Sequence, residues 1–411
     1  MKYFICLVGF FIVPTFLFGL TLEEAIEKAI INYPGYEIRK RDTFIGKFNL
    51  KGSYASFYPI VTASAVGAKT YDDDNVEMDS GNVNLGLNYN IFSGFRDKNS
   101  ILINKLSLQL LTFIYEDFRK YIINEVSNIY FEIFQYSKML ESYKILVNNS
   151  GKLREMSRVR YDIGKIKRVE YLEAEADYSR REYEYSTYEQ MMKTKLIELS
   201  TYTGEDYTID EPMNTDFIDV KVKDISYYLE QGYNNNVDIY TKEMESQKLF
   251  KEVKGSYANF YPSIDLYANE NRSYRETSGD KYYGATETGI RATWEFFSGF
   301  RDYFNVKSKK EEYYKKIMEK KLAEYELKEK IYSHYNNILS YDKQFDFLEN
   351  LMRFSKENYL LTEESYDLGK STMLELIDAR DRYEDALINY FQTRYNIIFA
   401  FNEIKYLAGI E

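Results

Sequence analysis

Hydrophobic positions along this chain follow two rhythms. From Val83 to Ile91, the residues Val83, Leu85, Leu87, Tyr89 and Ile91 alternate with Asn84, Gly86, Asn88 and Asn90. A period of two puts one set on each side of an extended strand, apolar on one face and polar on the other. The alternation returns later, where Thr288, Ile290, Ala292, Trp294 and Phe296 oppose Glu287, Gly289, Arg291, Thr293 and Glu295. Weaker alternation follows Pro59 and Pro262, so β-hairpins are predicted at about 60–92 and 263–297, with polar tips. Strands of about ten residues suit a tilted crossing of a bilayer. A soluble, half-buried hairpin would alternate in the same way.

Elsewhere the spacing is that of very long helices. Tyr366, Tyr359, Met352, Phe345, Ile338 and Ile331 lie seven apart, as do Val126, Ile133, Leu140, Val147, Arg154 and Tyr161. Rows from Tyr171 to Leu199 and from Leu376 to Ile404 keep the same step. A sustained seven-residue step holds one seam against a neighbouring helix, as in a coiled coil. A helix over 96–161 would be roughly 100 Å long, and helices over 167–202 and 224–258 about half that. Each long helix is thus matched by two half-length helices stacked end to end.

These patterns occur twice because the chain is a tandem duplication. KGSYASFYP, ending at Pro59, returns as KGSYANFYP, ending at Pro262, an offset of 203. FSGFRD at Phe92–Asp97 returns unchanged at Phe297–Asp302, and YDIGK at Tyr161 returns as YDLGK at Tyr366, both offset by 205. So large a period excludes a solenoid and defines two half-proteins, 20–204 and 205–411, the second opening on a connector at 205–223. The repeated phrases are junctions. FYP ends a helix and starts a strand, because proline cannot continue the one and is tolerated at the start of the other. FSGFRD converts strand to helix, with Ser93 or Ser298 as the expected N-cap and Asp97 or Asp302 favouring the positive helix end. Phe92, Trp294 and Phe297 sit at the end of the apolar band, where aromatic rings anchor to a membrane interface.

The first nineteen residues, MKYFICLVGFFIVPTFLFG, read as a secretion signal cut near Gly19 or Leu20; the alternative is an uncleaved anchor. The only cysteine, Cys6, lies there, so the rest of the chain has no disulfide and no cysteine metal site. No later run is long and apolar enough for a transmembrane helix. The 411 residues carry a net charge of −11, which argues against nucleic-acid binding. No catalytic constellation, P-loop, dinucleotide fingerprint or metal cluster is present. The sole histidine, His334, falls inside a long helix, so the expectation is a non-enzyme without cofactor or energy source of its own.

Together, LTLEEAIEKAIINYP at Leu20–Pro34, YASFYP, FSGFRD, the two YD-x-GK turns and the segment LIDARDRYEDALINYFQTRYNIIFAFNEIKYLAG at the end resemble the TolC family of outer-membrane efflux ducts. The resemblance implies a mainly α protein with a membrane β-barrel: a homotrimer giving four strands per chain to a shared twelve-stranded barrel and its helices to a periplasmic tunnel. It implies a passive export channel docked to a periplasmic adaptor and an inner-membrane transporter. The alternative is a structural or adhesive coiled-coil envelope protein without transport. In related ducts acidic residues after the helix turns narrow the periplasmic entrance. Carried over, this points to Glu375 and Asp378, then Glu170 and Glu173, with Tyr366 at the aperture. Family members often carry an arginine two residues after the second turn glycine; here Ser371 stands there, leaving the closed-state lock undefined. Gly164, Lys165, Gly369 and Lys370 are the expected adaptor contacts. Val83, Leu85, Leu87, Tyr89 and Ile290 are expected to face lipid.

Overall fold

The computed structural model describes residues 20–71, 77–209, 220–275 and 281–410. The leader at 1–19 with Cys6, the hairpin tips at 72–76 and 276–280, and the middle of the connector at 210–219 lie outside the described residues. The first repeat runs α1 (Leu22–Asn32), α2 (Pro34–Ser53), β1 (Ile60–Tyr71), β2 (Glu77–Phe92), α3 (Arg96–Asp162) and α4 (Arg168–Thr203). The second runs α5 (Ile225–Asn235), α6 (Val237–Ser256), β3 (Ser263–Arg275), β4 (Lys281–Thr293), α7 (Arg301–Asp367) and α8 (Met373–Leu407).

The helix expected over 224–258 is two helices, and the first repeat is broken at the same place. Before α2 the break is forced by Pro34, which takes the first helical position after an extended Tyr33. The second repeat has no proline there. Asn236 adopts ψ 132° and its side chain accepts from the backbone N–H groups of Asp238 and Ile239 at 3.0 and 3.3 Å, restarting the helix as a cap. The same amide donates to the Leu407 carbonyl at 3.0 Å, and Asn32 donates to the Thr203 carbonyl at 2.6 Å. Each break is therefore tied to the end of its repeat's last helix.

The strands form one antiparallel sheet in the order β1-β2-β3-β4. The repeats join at β2 and β3, where Leu87 pairs with Ala268 and Tyr89 with Leu266. The register gathers Val83, Leu85, Leu87, Tyr89 and Ile290 on one face with Val61, Ala63 and Leu266. A register shift between Asn90 and Phe92 opposes Phe92 to Ile264, so Phe92 joins this face. Not all of the face is apolar. Glu270 and Arg272 project from it as a pair 2.6 Å apart. The alternation expected to run to Phe296 stops as paired strand at Thr293, which pairs with Ser263. β3 begins there, so the residues after Thr293 have no strand partner among the described residues.

The strand-to-helix junctions differ from expectation in one respect. The N-caps are Phe95 and Phe300, not the serines. Gly94 and Phe95 are both left-handed, at φ 65° each, and Gly299 and Phe300 repeat this at 64° and 66°. Two successive left-handed residues reverse the chain too sharply for Ser93 to be the first cap. Instead Ser93 Oγ bonds Asp97, and Ser298 Oγ accepts from the Asp302 N–H at 3.4 Å. A left-handed phenylalanine costs about 1–2 kcal/mol. Phe95 offsets this by edge-on packing of its ring against Phe92 and Tyr261, at 5.3 and 6.1 Å. Gly94 is required twice over, because a Cβ there would sit 2.5 Å from the Ala258 carbonyl oxygen.

The helices make two hairpins, α3/α4 and α7/α8, with α2 and α6 continuing the wall toward the sheet. Helix α3 is flanked by α2, α4, α6 and α8, whereas α7 meets α5, α6 and α8. Of the expected row in α7, Tyr366, Tyr359, Ile338 and Ile331 are buried, and Met352 and Phe345 are half-buried. In α3 the row Val126, Ile133 and Leu140 is buried, but beyond it Tyr161 is exposed and Tyr143, Leu146 and Leu153 take over. The seam moves because α8 covers a second side of α3 there. Gly52 lies in α2 with open space where a Cβ would go. Gly52→Ala should therefore raise the thermal unfolding midpoint, by about 0.5–1 kcal/mol of helix stability. Gly94→Ala should lower it. Scanning calorimetry of the two variants checks both signs.

Candidate functional site

The end of the molecule farthest from the sheet is formed by two near-identical turns. α3 closes when the Gly164 and Lys165 N–H groups donate to the Tyr161 and Arg160 carbonyls at 2.9 and 2.8 Å. α7 closes in the same way, from Gly369 and Lys370 to Tyr366 and Ser365, at 2.9 and 2.8 Å. These are paired C-terminal bonds of the kind a left-handed glycine permits, with φ 72° and 71°. A Cβ at either glycine would meet nothing within 4 Å, and Lys165 and Lys370 are exposed, so both tips project freely from the chain.

The acidic residues after the turns have structural roles the sequence did not assign. Thr372 caps α8 in a capping box: the Glu375 N–H donates to Thr372 Oγ1 at 3.3 Å, and the Thr372 N–H donates to Glu375 Oε2 at 2.7 Å. These bonds, backbone first, hold the Glu375 carboxyl below its ordinary value. Glu170 closes α4 similarly, accepting from the Lys167 N–H at 3.4 Å. One turn on, Asp378 pairs with Arg382 at 2.9 Å. Glu375 and Asp378 are both exposed, and Glu173 is half-exposed. Tyr366 is 6% exposed, packed with Tyr359 and Leu376 beneath the Arg160 guanidinium, so its contribution to this end is packing.

Two to four helical turns above the tips lies a cluster that sequence analysis missed. Arg181 and Arg380 have no exposed surface, and Asp177 and Glu384 are nearly as buried. Arg380 bonds Asp177 across from α8 to α4, while Arg181 reaches back to Asp381 and Glu384. Arg181 also contacts Asp177 at 3.4 Å and Glu184 at 3.2 Å. The Tyr143 hydroxyl of α3 donates to Glu384 at 2.6 Å, adding a third helix. Removing one partner from a buried pair leaves an uncompensated charge and costs about 3–5 kcal/mol. In sequence these residues look like an ordinary charged helix surface; only the pairing of α4 with α8 reveals them.

His334 lies on α7 against Phe399, ring centroids 6.3 Å apart, and burial pushes its pKa down. Among the described residues there is no metal-ligating cluster, and no helix is long and apolar enough to cross a membrane. What the geometry presents is a long helical wall attached to a sheet with one apolar face.

Paired helical hairpins on a four-stranded sheet define a channel-tunnel subunit. The sequence matches the Outer membrane efflux protein family over residues 51–205 and 229–409, and the chain belongs to that family. It is 19% identical over 359 residues to Outer membrane protein TolC of Salmonella enteritidis, covering 79% of this chain and 73% of that protein. The fold matches the CmeC outer membrane channel of Campylobacter jejuni with a TM-score of 0.77 at 16% identity, over 94% of this chain and 85% of that one. It matches the outer membrane protein VceC of Vibrio cholerae with a TM-score of 0.75 at 14% identity, over 94% and 96%. The chain is thus an outer-membrane efflux channel with a periplasmic helical tunnel.

The cap geometry sets an expectation for the tip. Thr372→Ala removes the acceptor for the Glu375 N–H and should speed amide exchange in the first turn of α8 only. Because the Glu375 pKa is lowered, its contribution is present above the ordinary value of 4.5 and lost as pH falls through the lowered one. The wild-type protection should fall away in that acid range, while the variant, left with only the bond from its own backbone N–H to Glu375, should be less protected above it; hydrogen-exchange mass spectrometry at stepped pH reads both.

Proposed function

We propose that three copies of this chain close into a duct. Its barrel would cross the outer membrane with Val83, Leu85, Leu87, Tyr89 and Ile290 facing lipid, and its tips would meet a periplasmic adaptor and, through it, an inner-membrane pump. One observation carries the assembly: each contact between the first and second repeats has an unfilled counterpart on the far side of the second. β2 pairs with β3, but β4 and β1 are open edges. Gly94 abuts Ala258, but a Cβ at Gly299 would meet nothing within 4 Å. α3 is packed on both sides, but α7 exposes Met318, Tyr325, Tyr332 and Leu339 at a seven-residue step, then Phe347, Phe354 and Leu361 at another. A second copy placed as the second repeat sits on the first would fill all three.

The repeat offsets turn this into a register. Leu87 pairs with Ala268, so Ala292 should pair with Ala65 of the next copy. The unpaired stretch after Thr293 would then extend β4, with Phe297 and Trp294 at the membrane interface beside Phe92. Oxidation of Ala65→Cys with Ala292→Cys in intact envelopes should give a covalent trimer on denaturing gels. Shifting one partner to Ser64→Cys turns it to the other face and should abolish the product. Covalent trimer from both pairs, or from neither, would sink the register. On the same proposal Ile290→Arg should cost about 2–4 kcal/mol of membrane stability and Asn88→Arg far less; equal trimer yields would reverse the facing.

At the tips, Glu375 and Asp378 would form acidic rings at the periplasmic mouth, with Glu170 and Glu173 behind them. Gly164, Lys165, Gly369 and Lys370 would meet the adaptor. Three carboxylates per ring concentrate cations. Divalent cations added to the periplasmic side of a reconstituted channel should block it, and Glu375→Ala with Asp378→Ala should weaken the block. Unchanged block in the folded double variant would return both residues to the solvated surface.

A further inference from the structure

The helix breaks at Tyr33 and Asn236 border one hollow, far from the tips. Gly35 of α2, Phe118 of α3, Val237 of α6 and Tyr406 of α8 all line it. Its volume is about 490 Å³, room for a small organic molecule. Four rings follow one another along its wall. Tyr33 and Phe118 have centroids 6.3 Å apart, Phe118 and Tyr121 5.2 Å, and Tyr121 and Tyr406 6.2 Å. Gly35 lets the first ring lie there, because a Cβ at that position would stand 2.5 Å from Tyr33 Cε1.

Asp117 adds a charge to this wall. It is 6% exposed, and its ionic contact is with Lys120 of the same helix at 3.5 Å. Lys120 does not border this hollow; it borders the next one, with Ile123 and Asn124. Burial pushes the Asp117 carboxyl above its ordinary value, Lys120 pulls it back, and Asp238 adds to the rise. The negative charge here is therefore only partly offset. Ring faces are themselves negative, so rings beside a buried carboxylate suit a positive group with apolar substituents. The protein's own Arg39 shows the attraction. Its guanidinium, 3.5 Å from Asp42, lies over the Phe118 ring at 5.5 Å from the centroid.

Duplication did not supply this wall twice. The positions matching Tyr33, Asp117, Phe118, Tyr121 and Tyr406 hold Asn236, Leu322, Ala323, Glu326 and Thr201. No ring recurs, and the carboxylate is a leucine. Seam packing common to both repeats therefore does not account for the set.

We infer that this hollow binds a small organic cation, an ammonium carrying apolar substituents, with its charge against Asp117 and its substituents on Tyr33, Phe118, Tyr121 and Tyr406. The ligand takes the place of the exposed Arg39 guanidinium on Phe118. The site is built within one chain, so it does not depend on how copies assemble.

Choline and its uncharged isostere 3,3-dimethylbutan-1-ol separate charge from shape. In calorimetric titrations of the purified protein in a maltoside detergent, choline should bind saturably, once per chain, and about tenfold more tightly than the alcohol. Asp117→Asn keeps the shape; it should weaken choline about fivefold or more and leave the alcohol within about twofold. Phe118→Leu and Gly35→Ala, which remove one ring and displace another, should each weaken choline about threefold. Equal affinity for the two probes, or no saturable binding of choline, overturns the inference on the unaltered protein alone. Choline binding unchanged by both Asp117→Asn and Phe118→Leu places the cation elsewhere and overturns it as well.

Discussion

Backbone N–H and C=O groups at the edges of β1 and β4 have no partners in the chain, and a sheet in hydrocarbon cannot leave them so. Each unsatisfied group costs several kcal/mol there, which makes closure compulsory for a membrane-spanning sheet. Four strands are too few to close on themselves. A membrane-spanning sheet of this kind therefore needs strands from further copies. Because β2 and β3 already join the two repeats, the chain contains a worked example of the joint that must recur between copies.

The sheet is joined to the helices through the junctions. Ser93–Arg96 and Ser298–Arg301 reverse direction in two left-handed residues; β2 leads directly into α3, whereas Trp294–Ser298 separate β4 from the second junction. α3 and α7 have 67 residues each, and α2 with α4 and α6 with α8 match them in two pieces. Breaks at Tyr33 and Asn236 let the wall change direction without losing hydrogen bonds, since Pro34 lacks a donor and Asn236 supplies an acceptor. The helical wall is thus joined to the sheet at one end and ends in two free tips.

Much of this was legible because it rests on local chemistry or exact repetition. Duplicated phrases fixed the halves, period-two alternation fixed the sheet faces, and the turn glycines fixed the tips. Features that depend on a neighbour were not legible. The break at Asn236 carries no proline, and its cap shows only once the amide is seen reaching Leu407. The N-cap fell on Phe95 because a left-handed phenylalanine is tolerated only with Phe92 and Tyr261 to pack on. β4 looked longer in sequence than in the single chain, where β3 begins at Ser263 opposite Thr293 and pairing stops. Glu375 read as a mouth carboxylate alongside Asp378, although TMLE at Thr372–Glu375 also carries the spacing of a capping box.

The ion cluster answers a difficulty that duplication creates. Two hairpins with the same heptad seams and the same tips can pack in either order, or slip by seven residues, with little change in buried apolar area. Apolar seams stabilise all of these arrangements alike. Charged residues buried between α4 and α8 do not, because a wrong neighbour would leave Arg181 or Arg380 buried beside an alanine or another cation. Such groups contribute less net stability than apolar packing would, and they discriminate more strongly between partners. Divergence at these few positions gives the α8-facing side of α4 and the opposite side different partners. That distinction singles out one packing order for the two hairpins of the chain.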